Sequence, residues 1–262
     1  MMRAFSTAAT AMTAQQVMVD VTANNLANIN TSGFKRSQVD FQDMLYMKMR
    51  APGAEVYSGV KSPSGLEIGS GVRVASTVKV FTVGELSNTE KPLDIAITGD
   101  GFLQVITQDG STQYTRDGAL QMGPNGELVT TTGYLIQPSI TIPTDAVDVS
   151  VGKDGSVNIT SSSGTQSVAG NLTLARFSNP AGLSSVGDNL YAETEASGTA
   201  TTGTPGSSGF GYIQGGFLEK SNVQMITELV NLITAQRAYE TNSRAIRAGD
   251  EMLRKAIQIA RF

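Results

Sequence analysis

Glycine and proline are spread so unevenly along this chain that they divide it before any motif is read. Of 28 glycines only Gly33 precedes residue 46 and only Gly249 follows residue 219, and all eight prolines fall between those limits. Proline cannot donate to a helical ladder, and glycine gives up the most backbone freedom on ordering. The 262 residues therefore read as helix, long non-helical middle, helix: an α+β class with segregated elements. Charge follows the same division. Residues 76–215 carry 5 basic and 13 acidic side chains, a net −8, whereas residues 1–75 and 216–262 each carry 7 basic and 5 acidic, a net +2.

The first segment has helical period. Phe5, Ala8, Met12, Gln15, Val19, Thr22, Leu26 and Ile29 recur at alternating spacings of three and four, a heptad seam that predicts a helix of roughly 40 Å. Asn30 to Gly33 supply its stop. At the other end Met225, Leu229, Leu232, Gln236, Tyr239, Ser243, Ile246, Asp250, Leu253, Ile257 and Ala260 repeat the pattern, and Val223, Ile226, Val230 and Ile233 widen its apolar face. Ser221 followed by Gln224 has the form of a capping box, which predicts a helix from 222 to about 260. An amphipathic helix ordinarily lies on its own domain. Two helices with no third to complete a bundle leave apolar surface uncovered, so both are expected to be coiled-coil-like assembly elements covered by neighbouring copies. On this reading residues 1–45 with 216–262 form a discontinuous helical assembly domain, residues 46–71 an extended connecting stretch and residues 72–215 a β domain.

In the middle, Val72–Val74, Thr77–Phe81, Leu93–Ile97, Phe102–Ile106, Glu127–Thr130, Tyr134–Gln137, Val147–Val151, Ser156–Ile159 and Leu172–Phe177 are β-branched or aromatic runs bounded by turn residues. Asp109-Gly110, Asp117-Gly118, Asn125-Gly126 and Asp154-Gly155 are hairpin-type dipeptides. Residues 196–211, rich in Gly, Ser and Thr, read as a surface loop. Residues 46–71, with Tyr46 to Arg50 followed by Pro52, Gly53, Pro63, Gly65, Gly69 and Gly71, are too long for an ordinary connection and too apolar for a flexible linker.

Composition narrows the chemistry. There is no Cys, His or Trp, which removes thiolate and imidazole catalysis, disulfides, and Cys- or His-ligated metals. Carboxylates remain, and Asp94, Asp100, Asp109 and Asp117 are the candidates. Asp109 and Asp117 sit directly before glycine, and Asp100 lies between two, so turn formation accounts for most of them. Gly69-Ser70-Gly71 has no following helix and fails as a phosphate loop. No EF-hand-type calcium loop is present. No cofactor is expected. A pI near 5.0 disfavours nucleic acid, no apolar run is long enough for membrane insertion, and the amino end lacks the apolar core of a cleavable signal.

Several stretches resemble one family. Ala23-Asn24-Asn25-Leu26-Ala27-Asn28 and Thr31-Ser32-Gly33-Phe34-Lys35-Arg36 are similar to the amino-terminal signature of the axial proteins, rod and hook, of the bacterial flagellum. Asp94–Ile97 with Gly101-Phe102, Tyr114 to Gly118, and Asn125-Gly126 through Gly133-Tyr134 resemble its β-domain motifs. Ser221-Asn222-Val223, Glu228-Leu229-Val230 and Gln236 to Glu240 resemble its carboxy-terminal helix. Within the family, Ala51-Pro52-Gly53-Ala54 and Pro63-Ser64-Gly65-Leu66-Glu67-Ile68-Gly69 look like the stretch found in distal-rod members. Proximal-rod and hook-type subunits are the alternatives; a carboxylate-dependent secreted hydrolase and a β-domain adhesin are distant ones.

The resemblance implies a structural subunit, not an enzyme. It would form a rigid helical tube in the basal body, crossing the periplasm, that transmits torque to the hook and encloses the export channel. Implied partners are further copies, proximal rod proteins, the hook protein, the peptidoglycan-ring and outer-membrane-ring proteins as bushing, and the export apparatus that delivers the chain without a cleavable signal. Phe5, Met12, Val19, Leu26, Ile29, Leu229, Leu232, Tyr239, Ile246, Leu253 and Ile257 would line subunit interfaces. Asn24, Asn25, Asn28, Gly33 and Phe34 carry the family signature, and Pro52, Gly53, Pro63, Gly65, Leu66 and Ile68 would stiffen the tube. Polar seam positions Gln15, Thr22, Gln236, Ser243 and Asp250 would select register at a cost in stability.

Overall fold

A computed structural model describes residues 2–53, 55–57, 60–61 and 63–259. Ala54 and Ala260 lie outside the described residues. Two long helices bracket a chain that is otherwise mostly strand: α1, Met2–Ala27, and α2, Met225–Ile259. No helix among the described residues is long and apolar enough to cross a membrane. The chain divides into two compact units, residues 1–26, 37–78 and 225–262 in one, residues 27–36 and 79–224 in the other.

In the first unit α1 and α2 run antiparallel. Phe5 lies against Gly249, where a Cβ would come within 2.8 Å of the ring. Near the other end Asn25 Nδ2 donates to Glu228 Oε2 at 3.4 Å. The side of α2 toward α1 is drawn at heptad spacing through Glu228, Ala235 and Gly249, and Ala14 is the buried alanine on α1. The unit also holds two-stranded ribbons. Ser37–Asp43 pairs with Val72–Lys79, and Met47–Arg50 pairs with Leu66–Ile68.

The second unit is built on a seven-stranded antiparallel sheet. Its order is Leu120–Met122, Leu128–Thr130, Leu135–Gln137, Leu103–Ile106, Thr112–Thr115, Leu190–Ala192, Ser184–Gly187. A three-stranded sheet, Ala146–Val151, Ser156–Ser161 and Gln166–Asn171, contributes Val157 and Ile159 to a common core with Ile95, Ile97, Leu103, Val105, Leu172, Leu174 and Ile213. A second, aromatic cluster joins Phe102, Tyr114, Phe177 and Tyr191, with edge-to-face ring centroids 4.7 Å apart for Tyr114 and Phe177.

Three expectations need correction. The capping box does not start α2. The helix begins three residues later than expected, at Met225, and Ser221 Oγ accepts from Val223 N at 3.3 Å in a local turn. Residues 196–211 are not a simple surface loop, because Thr201–Gly203 pairs with Leu174–Arg176 and Ser197 is fully buried. Asp109-Gly110, Asn125-Gly126 and Asp154-Gly155 make turns with positive-φ glycine, but Asp117-Gly118 does not. There Asp117 Oδ1 accepts from Ala119 N at 3.1 Å, and Gly118 is required because a Cβ would overlap the carbonyl oxygen of Ile95.

Candidate assembly surfaces

On α2 the large apolar side chains divide between two sides: Leu232, Ile246 and Leu253 share the side of Ala235, whereas an exposed set near the start of the helix faces the other way. At 100° per residue, Ile226, Val230 and Ile233 point away from the line through Glu228 and Ala235. Ile226 is 79% exposed, Val230 56%, Ile233 49% and Leu229 39%. The only charged residue between 225 and 236 is Glu228, which is buried toward α1. The result is an uncharged aliphatic strip about two turns long.

The expected seam therefore splits. On α2, Leu232, Ile246 and Leu253 are half-buried, whereas Leu229, Tyr239 and Ile257 are exposed. On α1, Phe5, Met12, Val19 and Leu26 are half-buried, and Ile29 lies past the helix end in the other unit. Between the helices a cleft of about 400 Å³ is lined by Gln16, Val19, Gln236, Tyr239 and Glu240. Of the polar seam positions, Thr22 is buried, while Asp250 is exposed and pairs with Arg254 at 2.9 Å.

A second exposed surface is the ribbon of Met47–Arg50 and Leu66–Ile68. Met47 faces Ile68 and Arg50 faces Leu66, with a bulge between, and all seven residues are exposed. Leu45 beside it is 89% exposed. The Lys48–Glu67 pair at 3.9 Å is solvated and contributes little. Gly65 is required by close approach, since a Cβ would lie 2.8 Å from Arg50 O and 2.9 Å from Pro52 Cδ. Pro52, Gly53 and Pro63 are exposed.

The signature residues do something else: they tie the chain down. Asn25 Oδ1 accepts from Ser37 N at 2.8 Å while its Nδ2 donates to Ser37 O at 2.9 Å. The amide thus pairs like a strand neighbour. Asn24 is exposed, and Asn28 Oδ1 accepts from Thr31 Oγ1 at 3.1 Å. Gly33 adopts φ +66° and approaches Arg116 so closely that a Cβ would lie 2.7 Å from its carbonyl group. Phe34 is nearly buried under the Lys79 ammonium, 4.7 Å from the ring centroid.

Beneath this segment lies a charge cluster that sequence reasoning missed. Lys35, Arg116 and Glu219 are 0%, 2% and 1% exposed. The Glu219 carboxylate accepts from Lys35 Nζ, from Arg116 Nε at 3.2 Å and from Gly84 N at 2.8 Å. Lys35 Nζ also donates to Thr82 O at 2.7 Å, and Arg116 Nη2 to the carbonyls of Ile97 and Gly99 at 3.1 and 2.8 Å. Burial, reinforced by the Arg116 charge and opposed by Glu219, pushes Lys35 down to about 8. Burial likewise raises the nearby Tyr191 phenol to about 12. A local pattern could not have joined residues 184 positions apart.

Of the four candidate carboxylates, Asp117 is occupied in its turn, with burial raising its pKa ahead of the nearby Asp94 charge. Among the described residues no three His, Cys, Asp or Glu side chains group to hold a metal ion.

Known proteins match this chain along nearly its whole length. A family model described as Flagella basal body rod protein matches residues 5–35. One for the Flagellar hook protein FlgE/F/G D1 domain matches residues 96–159, and one for the Flagellar basal body rod FlgEFG protein C-terminal matches residues 214–259. The chain is 45% identical over 251 residues to the flagellar basal-body rod protein FlgG of Buchnera aphidicola subsp. Schizaphis graminum, covering 95% of this chain and 96% of that protein. It is 43% identical over 260 residues to FlgG of Caulobacter vibrioides, covering 98% and 99%. Over 266 residues it is 36% identical to FlgG of Bacillus subtilis, covering the whole of both.

Two long terminal helices, one of them carrying an exposed apolar strip, and a β unit with a buried ion cluster and, among the described residues, no grouped catalytic side chains belong to a structural class of protein. The chain belongs to the flagellar basal-body rod protein family, and its place is in the basal body, among rod and hook components.

Proposed function

We propose that the chain is a subunit of the distal rod, a rigid helical tube that carries motor torque to the hook and surrounds the export channel. The observation that carries this reading is the strip of Ile226, Leu229, Val230 and Ile233, exposed on the side of α2 away from α1. An apolar strip of this kind is suited to a second copy, and a head-to-tail contact that does not close produces a filament. The helices of residues 1–45 and 216–262 then act as one assembly domain, their seam residues meeting neighbouring copies in coiled-coil fashion. Proximal rod proteins, the hook protein and the two bushing rings are the partners at its ends and flanks. The chain crosses the periplasm as part of the rod and reaches it through the export apparatus.

Residues 46–71, with the ribbon of Met47–Arg50 and Leu66–Ile68, stiffen the tube by packing on adjacent copies, since stiffness requires contacts that block axial sliding. Electron micrographs of filaments from the chain lacking residues 46–71 test that role: curved filaments are expected, and filaments as straight as wild type refute it. Assembly itself is tested with Ile226→Asp/Ile233→Asp. The reading expects fibres from concentrated wild type and none from this variant at equal monomer stability; undiminished fibres would overturn it.

A further inference from the structure

The β unit is closed by two pieces of chain that come from opposite ends of the sequence. Residues 31–36 arrive from the amino side and Phe217–Glu219 from the carboxyl side, pairing with Leu86–Asn88. Between them they contribute the ammonium and the carboxylate of one buried cluster, and Arg116 of the β unit supplies the third charge. Gly33 N also donates to Glu219 O at 2.8 Å. Arg36 N donates to Asn222 Oδ1 at 2.8 Å, and Asn222 Nδ2 donates to Val80 O at 2.8 Å.

We propose that Lys35, Arg116 and Glu219 form a closing clasp: residues 31–36 can be seated in the β unit only once the strand Phe217–Glu219 has brought its carboxylate. Without Glu219 the site holds two cations and no anion. The charged groups acting on Lys35 are Arg116 and Glu219, and the neighbouring Lys79, whose Nζ donates to Lys35 O at 3.3 Å, adds a further positive charge. Burying an unpaired charge costs more than leaving it in water, so the amino-terminal piece stays out until the acid arrives. Any chain that emerges amino end first has residues 31–36 available long before residue 219. The clasp converts that delay into an order of assembly, in which the seven-stranded sheet forms first and the amino-terminal piece docks last. This inference does not depend on what the assembled chain does.

Pulse-labelled hydrogen exchange during refolding of the full chain tests the order. The Gly33 and Arg36 amides should gain protection together with Leu218 of the 217–219 ribbon, and after Val105 and Ile136 of the sheet. Protection of Gly33 and Arg36 ahead of Leu218 would overturn the proposal. At equilibrium, Glu219→Gln should lower protection at Gly33 and Arg36 by about 100-fold while Val105 and Ile136 change by less than about threefold. Removing one of the two stranded cations, in Lys35→Met/Glu219→Gln, should restore Gly33 and Arg36 to within about tenfold of wild type. If Glu219→Gln leaves them protected, or the double variant is no better than the single one, the charges are not what holds the segment and the clasp is refuted. If Glu219→Gln does not fold, the double variant decides alone: recovery of a folded chain supports the clasp, and failure refutes it.

Discussion

Lys35→Met should change how the stability of this protein depends on pH, and the size of the change follows from the buried cluster. The ammonium is fully buried, and its pKa falls from 10.5 to about 8 in the folded chain. Because the folded value is the lower one, the unfolded chain holds more protons between pH 8 and 10.5, so raising the pH through that window stabilises the fold. Below pH 8 Lys35 is charged in both states, and its destabilising contribution is then fully present. At about 1.36 kcal/mol per pKa unit, the total is about 3 kcal/mol, of which about 2 kcal/mol is recovered between pH 7 and 9.5. Tyr191, raised to about 12, works the other way above pH 10 by favouring proton retention in the fold, and Lys79, lowered by burial, adds to the Lys35 trend. The difference between wild type and Lys35→Met removes both contributions. Urea unfolding at pH 7.0 and 9.5 should show wild type gaining about 2 kcal/mol relative to the variant. A difference constant within about 0.5 kcal/mol between the two pH values would refute the assignment of a charged, desolvated Lys35.

Other perturbations separate the surfaces from the interior. Ile226→Asp/Ile233→Asp should leave monomer unfolding within about 0.5 kcal/mol of wild type, since both positions are exposed, while abolishing sedimentable polymer. Asn25→Ala removes both bonds to Ser37 and the contact with Glu228, and urea unfolding of the helical unit should show a loss of about 2–3 kcal/mol. Gly118→Ala sets a methyl group into the Ile95 carbonyl and should cost more than about 4 kcal/mol, seen as loss of the cooperative thermal transition.

Both helices were legible because their apolar period persists over many turns, longer than chance or a strand allows. The degree of burial along them was not. The most buried helical positions are small or polar, Ala14, Thr22, Asn25, Glu228 and Ala235, while the seam residues Leu232, Ile246 and Leu253 are half-buried and Ile226 and Ile233 are exposed. Strands with a β-branched run, such as Leu103–Ile106, could be read directly. Ser37–Asp43 could not, because its sequence SQVDFQD has no fully buried face and the strand is held by distant partners, Val72–Lys79 and the Asn25 amide. Ser221 with Gln224 gave too early a helix start for a specific reason: Asn222 between them is committed to the backbone of Arg36, Val80 and Thr82, so this stretch fastens the β unit before the helix begins. Lys35 carries one local signal of its burial: it directly follows Gly33-Phe34, where burial of the aromatic carries the cation inward.

The helix pair leaves much of its apolar surface uncovered, which has an energetic consequence. Large side chains such as Phe5, Met12, Leu232 and Ile246 are only half-buried, and surface pairs such as Glu240–Arg244 at 3.7 Å contribute only about 0.3–0.5 kcal/mol. The exposed fractions of Ile226, Leu229, Val230 and Ile233, if covered, would contribute roughly 3 to 7 kcal/mol per copy at about 1.5–3 kcal/mol for each full side chain. A neighbour thus offers α2 more than its own chain does along that strip. Circular dichroism of the isolated chain should accordingly show less helix at low micromolar concentration than α1 and α2 together provide, with the deficit closing as concentration rises and polymer forms. The β unit, with its own two cores, should show no such dependence. Full helix content in dilute monomer, unchanged on assembly, would mean that the contacts within the chain suffice and that the outward strip is not what orders α2.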